Sequence, residues 1–391
     1  MPSIATSLDI SVVIPTFNMS AFLLDLWASL HKSGVLDIAR EIVVVNDGST
    51  DRTREVLNEL AGGPRGEFLR LVHMPKNVGR FRARLEGAKV AQSERILFLD
   101  TRLVLPDNFG ERLAAVAKAH RSVMGHVDID ITRNVFCLYW DRSHRFIFRR
   151  HFQDSRRVLT LTKDNYDLYL KGTGVLLCER ELFLKTSAKY GDLFSDDTLL
   201  MKDMVATTPI VLCPDVRIQW VPRENARDFI ARIWDRGPGF VEYHVLEHRG
   251  RFFWIVFAGG LVFVSLVGFS LAVPPVAPLL AGGALVVTAA STALFAKSVR
   301  EAVRMAPLHV AVVATFGASI LRGLAVNAQQ QFERRYCSKT GRTNRKQSRR
   351  RGYAVEQWVG IQRRSRMSSH IEYPMTGNAI FRRVLSNAFR R

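Results

Sequence analysis

The first hundred residues alternate between short apolar runs of strand length and segments with a helical apolar period. The runs are rich in valine and isoleucine and are bounded by turn residues, as buried strands are. This alternation predicts an α/β domain with a parallel sheet and right-handed crossovers. The predicted strands are Ile10–Thr16, Ile42–Val45, Phe68–His73 and Ile96–Leu99, and the predicted helices are Ala21–Leu30, Asp51–Leu60 and Arg80–Ala91.

Three of the apolar runs stop at acidic or amide residues, within Ser11–Asn18, Glu41–Asp51 and Arg95–Arg102. In an open parallel sheet the carboxyl ends of the strands meet at one edge, and ligands bind there. The sequence therefore predicts a ligand site with polar side chains at this edge.

The pattern between residues 106 and 225 is more mixed. Glu111–His120 has a helical period, and the aromatic and basic stretch Val135–Arg150 has room for two strands. Gly172–Leu177 and Ile210–Pro222 are apolar and predict two further strands.

A stretch without charged residues runs from Phe252 to Ala296 and is long enough for two membrane spans. Residues 252–273 supply 22 positions and residues 276–296 supply 21, separated by a Pro-Pro pair. Basic residues flank both ends, so the positive-inside rule places both flanks in the cytoplasm. We therefore expect a transmembrane helical hairpin.

A third apolar segment begins at Ala306 and meets Arg322 after only 16 residues. A complete span over residues 306–326 would carry the most basic part of the chain across the membrane, which the charge rule disfavours. We expect a re-entrant or interfacial helix here, with a third span as the alternative.

The formal net charge of +20 is concentrated at the C-terminus, where residues 331–391 contain sixteen Lys and Arg against three Glu. Beside a membrane segment, such a tail is expected to bind anionic lipids. No nucleic-acid partner is expected, because no supporting fold motif is present. The four scattered cysteines fit a reducing compartment. Without a signal-peptide pattern, the first domain is expected in the cytoplasm.

Four segments in order resemble the inverting family 2 glycosyltransferases, which have the Rossmann-like GT-A fold of nucleotide-diphospho-sugar transferases. SVVIPTFN is similar to the family's opening strand, and VVVNDGSTDRT to its nucleotide-binding strand and turn. KNVGRFRARLEGAKVA is similar to the helix after the third strand, and ILFLD ends where the family keeps a metal-binding acidic motif. The resemblance covers about residues 9 to 240.

The resemblance implies a nucleotide-diphosphate sugar as donor. Asp47 is then placed to accept from a ring N–H of the base, and the Gly48-containing turn lets the backbone approach the ligand. A helix start with arginines suits a diphosphate, although alternate arginines cannot share one helical face. The alternative interpretation of Asn46–Asp51 is purely structural: a turn that caps the following helix. The expected donor-binding residues are Pro15, Thr16, Asn18, Asp47, Ser49, Asp51, Asn77, Arg80, Arg84, Asp100 and Arg102.

The acidic motif departs from the family pattern, because Asp100-Thr101-Arg102 has a cation where the family's D-x-D has its second carboxylate. The resemblance implies Mg²⁺ or Mn²⁺ at Asp100, bridging the donor diphosphate. Either Asp100 holds the metal with phosphate oxygens and water, or Arg102 contacts the diphosphate itself. A third alternative is that Arg102 is simply solvated.

Later segments imply an acceptor side. KGTGVLLCERELF resembles the family's acceptor segment and contributes Gly172 and Gly174. An inverting transfer needs one carboxylate to take the acceptor's proton. The resemblance assigns this base to Asp197, supported by Asp196, although both could instead cap a following helix.

A segment before the membrane region only partly matches the Q-x-x-R-W motif of processive members, which argues against a polymer synthase. It suggests an interfacial helix whose arginines meet a diphosphate or a lipid phosphate, or whose contact is with the membrane alone. The residues concerned are Arg232, Trp234 and Arg236.

The expected protein is a multi-pass enzyme of the cell (inner) membrane with its catalytic domain in the cytoplasm, acting in polysaccharide biosynthesis. It would transfer a sugar with inversion to a lipid-linked or cell-surface glycan acceptor. The alternatives are a polyprenyl-phosphate sugar synthase and a catalytically reduced donor-binding scaffold. The expected regions are a catalytic domain (1–225), a juxtamembrane segment (226–250), a membrane region (251–330) and a basic tail (331–391).

Overall fold

The computed structural model describes residues 8–154, 156–172, 174–190 and 196–340, including their side chains except those of 196, 197 and 333–340. The chain divides into two compact units, residues 1–327 and residues 328–391. The elements below belong to the first unit, except that the last helix continues to Thr340. Of the basic tail predicted at residues 331–391, residues 331–340 belong to the last helix and residues 341–391 lie outside the described residues.

The described part of the first unit is built on a sheet of nine strands in the order β3-β2-β1-β4-β8-β6-β9-β5, with β7 paired to β9. The strands are β1 (Ile10–Thr16), β2 (Glu41–Asn46), β3 (Leu69–His73), β4 (Arg95–Leu99), β5 (Leu103–Val104), β6 (Val123–Asp128), β7 (Leu159–Leu161), β8 (Val175–Glu179) and β9 (Ile210–Trp220).

Helices connect the strands and then follow the last of them. They are α1 (Ser20–Lys32), α2 (Val35–Ile38), α3 (Thr53–Ala61), α4 (Arg80–Val90), α5 (Phe109–Ala119), α6 (Val135–Ile147), α7 (Arg149–Asp154), α8 (Arg180–Ser187), α9 (Met201–Thr207), α10 (Ala226–Trp234), α11 (Gly237–Val241), α12 (Arg251–Ala272), α13 (Ala277–Ala290) and α14 (Val299–Thr340).

The first four strands are parallel, as predicted, and their carboxyl ends are in register. Thr16 pairs with Asn46, and Asn46 pairs with His73. The sheet becomes mixed at β8, which runs antiparallel to β4. β1 and β2 are buried on both faces, because α1 and α3 cover one face and α4 covers the other. The polar residues that follow these strands therefore meet at one edge.

Val135–Arg150 is helical, so the prediction of two strands there was wrong. Asn134 caps α6 by accepting a hydrogen bond from the Cys137 N–H at 2.9 Å. The aromatic residues of this segment do have strand propensity, but tertiary packing decides the outcome. Tyr139 and Trp140 are buried in a hydrophobic cluster with Phe229 of α10 and Met305 of α14, separate from the packing around the sheet.

A short π-helical turn, Glu242–Glu247, is tethered to the α/β domain by a partly buried cluster of polar side chains. The Tyr243 hydroxyl donates to Asp167 Oδ1 at 2.6 Å. Lys171 and Lys202 form ion pairs with the same carboxylate at 3.2 and 3.1 Å. The turn leads directly toward α12.

Within the described residues, three helical segments are long and apolar enough to cross a membrane: Arg251–Ala272, Pro274–Leu294 and Val299–Phe332. The first two coincide with the predicted hairpin. The third differs from the prediction of a short segment over 306–326, since α14 is one continuous helix that starts before Arg300 and continues past Arg322. Apolar side chains of α12 are exposed along its length, as lipid contact requires.

Candidate active site

The turn after β2 is folded tightly against the loop before α4. Asn46 Oδ1 accepts from the Ser49 N–H at 3.0 Å. Gly48 has φ +65°, and a Cβ built there would lie 2.3 Å from the carbonyl carbon of Lys76. A glycine is required here both for its backbone conformation and for this close approach.

Asp47 organises that same loop. Its two carboxylate oxygens accept from the Val78 N–H at 2.7 Å and the Gly79 N–H at 3.0 Å. The residue is only 3% exposed, and burial raises the pKa of its carboxyl, although the two N–H groups oppose the shift. The side chain predicted to meet the nucleobase thus also holds the start of α4 in place.

Asn18 and Asp51 join the ends of β1 and β2. Asn18 has φ +53° and its Oδ1 accepts from the Thr50 N–H at 2.8 Å, while its own N–H donates to Ser49 Oγ at 3.0 Å. Asp51 accepts from the N–H and hydroxyl of Ser20 and from the Thr53 N–H. Burial would raise its pKa, but these hydrogen bonds outweigh burial and lower it. Asp51 therefore joins the starts of α1 and α3, although the residue directly before α3, Arg52, makes no side-chain capping bond.

The end of β1 also reaches the end of β4. The Thr101 hydroxyl donates to the carbonyl of Pro15 at 3.2 Å. Thr16 is buried, and its Oγ1 has no hydrogen-bond partner in the described part of the chain. The predicted residues of the first strand end thus lie beside both other strand ends.

Asp100 is held between α4 and β8. Arg84, 2% exposed, donates from Nη2 to Asp100 Oδ1 at 3.0 Å. On the other side, a Cβ at Gly174 would lie 3.4 Å from Asp100 Oδ2, so the glycine leaves this oxygen accessible. Of the three arginines at the start of α4, Arg84 is buried on Asp100, whereas Arg80 and Arg82 are exposed.

Arg102 contacts α1 and the chain that follows β9. Its Nε and Nη2 donate to the backbone carbonyls of Val221, at 2.8 Å, and Pro222. Its guanidinium lies over the ring of Phe22, 4.0 Å from the centroid. The cation that replaces the second carboxylate of the family motif is used to hold the chain that leaves β9.

The protein donors around Asp100 can supply one carboxylate to a divalent metal. Oδ1 is engaged by Arg84, and Oδ2 faces the gap left by Gly174. Among the described residues, no group of three or more His, Cys, Asp or Glu could hold a metal ion. This donor set fits Mg²⁺ or Mn²⁺ bound mainly through substrate phosphates and water, as Mg²⁺ commonly is.

The predicted juxtamembrane residues lie on α10 and just after it. Trp234 is half-buried, and its carbonyl accepts hydrogen bonds from Ser319 and from Arg322 of α14. Arg236 lies over the ring of Trp140 at 4.4 Å, and Arg232 is half-buried. This segment therefore links the end of β9 to the last apolar helix.

Comparison with known proteins identifies the domain. Residues 11–170 match the model of the family described as "Glycosyl transferase family 2". The chain carries a family 2 glycosyltransferase domain. The matched residues include all three strand ends of the site and the arginines of α4.

The family 2 domain is similar to several curated proteins over part of their length. It is 34% identical over 91 residues to the "Uncharacterized glycosyltransferase EpsJ" of Bacillus subtilis, covering 23% of this chain and 25% of that protein. It is 32% identical over 119 residues to the undecaprenyl-phosphate 4-deoxy-4-formamido-L-arabinose transferase of Sodalis glossinidius, covering 30% of this chain and 36% of that protein. The chain thus matches only about a quarter to a third of these relatives.

A solved structure shares the fold over most of the chain. It is the mannosyltransferase PcManGT from Pyrobaculum calidifontis in complex with GDP-Man and Mn²⁺, with a TM-score of 0.51 and 18% identity. The match covers 81% of this chain and 89% of that protein. At this identity the likeness establishes the GT-A fold alone.

Parts of the predicted site lie outside the described residues. The side chains of Asp196 and Asp197, the predicted base and its neighbour, are among these, although their backbone opens the π-helical turn Asp196–Leu200. Gly172 and Asn77 lie in loops near the family 2 site, and a Cβ at Gly172 would meet only the Gly174 N at 3.9 Å.

Arg223 was missed by the sequence analysis. It directly follows Pro222, whose carbonyl Arg102 holds, and so lies beside the Asp100 strand end. The sequence does contain a signal for it, because Arg223 directly follows the last predicted strand, Ile210–Pro222, just as the other predicted site residues follow their strands.

Proposed function

We propose that the protein is a membrane-bound inverting glycosyltransferase that moves a sugar from a nucleotide-diphosphate donor to a lipid-linked or cell-surface glycan acceptor. The observation that carries this proposal is the contact between the chain bordering the site and an apolar helix. The Gly237 N–H donates to Ser319 Oγ at 3.0 Å, and Asn327 Nδ2 donates to the Pro238 carbonyl at 3.0 Å.

This contact supports a lipid-attached substrate for a geometric reason. The chain leaving β9 is clamped by Arg102 two residues from Asp100, and it continues through α10 and α11 to α14. A helix long enough to cross a membrane thus packs on the segment that borders the site. A soluble acceptor would give no reason for this attachment, whereas a lipid-linked acceptor must be met at the bilayer surface.

The donor is proposed to bind across the three strand ends. The base and ribose would meet the turn of Asp47 and Asn18, whose hydrogen bonds already fix the local backbone. The diphosphate would lie toward Asp100 and the arginines of α4, because guanidinium groups and a helix N-terminus favour anions.

A divalent metal is proposed at Asp100, where Oδ2 would be its protein ligand. Such a metal would neutralise the charge on the leaving diphosphate. We expect EDTA to abolish donor turnover by the purified protein and added Mn²⁺ or Mg²⁺ to restore it. Full activity in the presence of EDTA would exclude a required metal at Asp100. It would leave the proposed nucleotide-diphosphate sugar donor unaffected.

The catalytic base is proposed to be Asp197, supported by Asp196. If the acceptor is a hydroxyl, Asp197→Asn should leave nucleoside-diphosphate binding intact and lower transfer by about 100-fold or more, since it removes general-base catalysis. Asp203→Asn, a carboxylate on α9 hydrogen-bonded to Tyr190, provides a matched control that should retain transfer. If Asp197→Asn transferred sugar to a hydroxyl acceptor at a near wild-type rate, the assignment of Asp197 as the general base would be refuted.

A second candidate is a polyprenyl-phosphate sugar transferase, and the similarity to an undecaprenyl-phosphate transferase favours it. A phosphate acceptor is already ionised at neutral pH, so it needs no base. Retained transfer to polyprenyl phosphate in Asp197→Asn, with no transfer to hydroxyl acceptors, would select this candidate.

We propose that the protein resides in the cell membrane with its family 2 domain in the cytoplasm. The exposed apolar helices and the charge distribution at their flanks support this. The basic tail is proposed to bind anionic lipids. Accessibility of an introduced cysteine near Arg40 to a membrane-impermeant reagent, in intact and in lysed cells, tests the orientation; labelling in intact cells would reverse it.

A further inference from the structure

The chain that leaves β9 carries an arginine whose surroundings set it apart from the other charged residues near the site. Within the described part of the chain, the Arg223 guanidinium forms no hydrogen bond and no ion pair. It is nevertheless half-buried. A partly buried guanidinium without a protein partner keeps its N–H donors available for an anionic ligand.

Arg223 directly follows Val221 and Pro222, which Arg102 holds two residues from Asp100, and its electrostatic neighbours include groups of the site. After burial, which lowers its pKa most, the groups affecting it are Asp228, Asp235, Arg80 and Asp100. Arg80 and Asp100 belong to the two elements expected to meet the donor diphosphate. Arg223 in turn helps to lower the pKa of Arg102, second only to burial, so these two guanidinium groups are also close.

Asp228 and Asp235 do not account for Arg223 as partners. Asp228 is engaged with Asn225, which caps α10 and donates from Nδ2 to Asp228 Oδ2 at 3.0 Å. Burial raises the pKa of Asp235, and the charges of four arginines lower it, Arg232 most strongly. Neither carboxylate comes within ion-pair distance of Arg223.

Arg102 explains how Arg223 is held. Its two hydrogen bonds fix the carbonyls of the two residues immediately before Arg223, and Phe22 supports its guanidinium. Val221 is also bonded through its N–H to the Arg102 carbonyl at 3.0 Å. The backbone leading to Arg223 is therefore anchored from both sides by one residue.

We propose that Arg223 binds a phosphate group of the substrate and that Arg102 is the positioning residue that presents it. A guanidinium matches phosphate oxygens bidentately, and Arg80 would share the anion. This inference rests on the proposed glycosyltransferase function. The phosphate belongs either to the donor diphosphate or to a lipid-phosphate acceptor, and the same chemistry serves both.

Binding to the full-length protein in detergent tests the proposal. One arm uses ADP, CDP, GDP, dTDP and UDP, with the corresponding nucleosides as phosphate-free probes, and the other uses a short polyisoprenyl phosphate in micelles. The variants are Arg223→Met, Arg223→Lys, Arg102→Met and the double variant. Arg40→Met, which removes an exposed ion pair with Asp9 at the opposite edge of the sheet, is the control.

Arg223→Met should weaken binding of the phosphate ligand by about 10- to 100-fold, the effect of losing a charge-assisted hydrogen bond. Nucleoside binding should not change, and Arg223→Lys should recover part of the loss. Arg102→Met should weaken binding by a similar factor, and the double variant should bind no more weakly than either single variant. A purely structural role of Arg102 would instead add its own loss to that of Arg223→Met. The arm that responds identifies the source of the phosphate.

Wild-type affinity of Arg223→Met in both arms would overturn the assignment of Arg223 and leave the proposed function standing. Additive losses in the double variant would overturn the positioning role of Arg102. If the folded wild-type protein bound none of the diphosphates and no lipid phosphate, the proposed function itself would fall. Thermal unfolding midpoints of the variants, compared with Arg40→Met, show whether each one is folded.

Discussion

Replacing Gly48 by alanine should damage both the stability of the domain and its nucleotide site. Two separate costs arise at this position. Alanine at φ +65° occupies the left-handed region, which costs about 1–2 kcal/mol. In addition, the new methyl group would lie 2.3 Å from the Lys76 carbonyl carbon and 2.5 Å from the Asn77 N, so the backbone must move.

A second glycine separates the two costs. Gly34 has φ +71°, but a Cβ there meets only Asp37 Oδ2 at an ordinary 3.7 Å. Gly34→Ala should therefore cost only the conformational part, about 1–2 kcal/mol. Gly48→Ala should cost about 1–3 kcal/mol more, the range for overpacking a well-packed region.

The assay is denaturant unfolding of the detergent-solubilised protein together with nucleoside-diphosphate binding. Moving Lys76 and Asn77 displaces the following Val78 and Gly79 N–H groups from Asp47, so Gly48→Ala should also weaken binding. Gly34→Ala should bind normally. Equal unfolding free energies for the two variants, with binding intact in both, would refute the close packing of the turn.

Two further outcomes concern the segments between the domain and the membrane. Burial acts to raise the pKa of Asp167, but the Tyr243 hydrogen bond and two lysine charges outweigh it and lower the pKa to about 2. The ionised Asp167 thus contributes about 2 kcal/mol to the free energy of unfolding above about pH 4. This contribution is lost as the pH falls toward 2. Asp167→Asn should remove this dependence on acid pH from the urea unfolding free energies. If the variant lost stability in acid as the wild type does, the Asp167 cluster would not be the cause. On α14, Gly323→Ala should lower the unfolding midpoint, since its Cβ would lie 2.7 Å from the Gly237 carbonyl oxygen. Gly317→Ala, with nothing within 4 Å, should be neutral or slightly stabilising, and equal midpoints would argue against this packing.

The parallel half of the fold was predictable because its signals are local. The valine-rich runs of β1 and β2 are buried on both faces and end at turn residues, and their predicted bounds agree with the structure to within one residue. The polar residues at their ends could be grouped from the general geometry of parallel sheets alone.

Elements defined by distant contacts were harder to predict. Val135–Ile147 carries aromatic residues that suit a strand, and its helix is stabilised by Phe229 and Met305, far away in the sequence. Arg102 is similar: its partners, Val221 and Pro222, are about 120 residues away, so neither its orientation nor the placement of Arg223 follows from the local motif.

The packing of α14 bears on how the catalytic part can be prepared as a soluble protein. α12 and α13 have no buried side chain, so removing these two helices alone would uncover little of the domain. A chain cut before α12 would also lose Met305, Ser319 and Asn327, which are buried against the domain. It would expose an apolar face on α6 and α10 and leave the Gly237 N–H and the Pro238 carbonyl without their partners. A useful soluble version would replace the hairpin with a short linker and keep the following helix, with its outward apolar positions made polar.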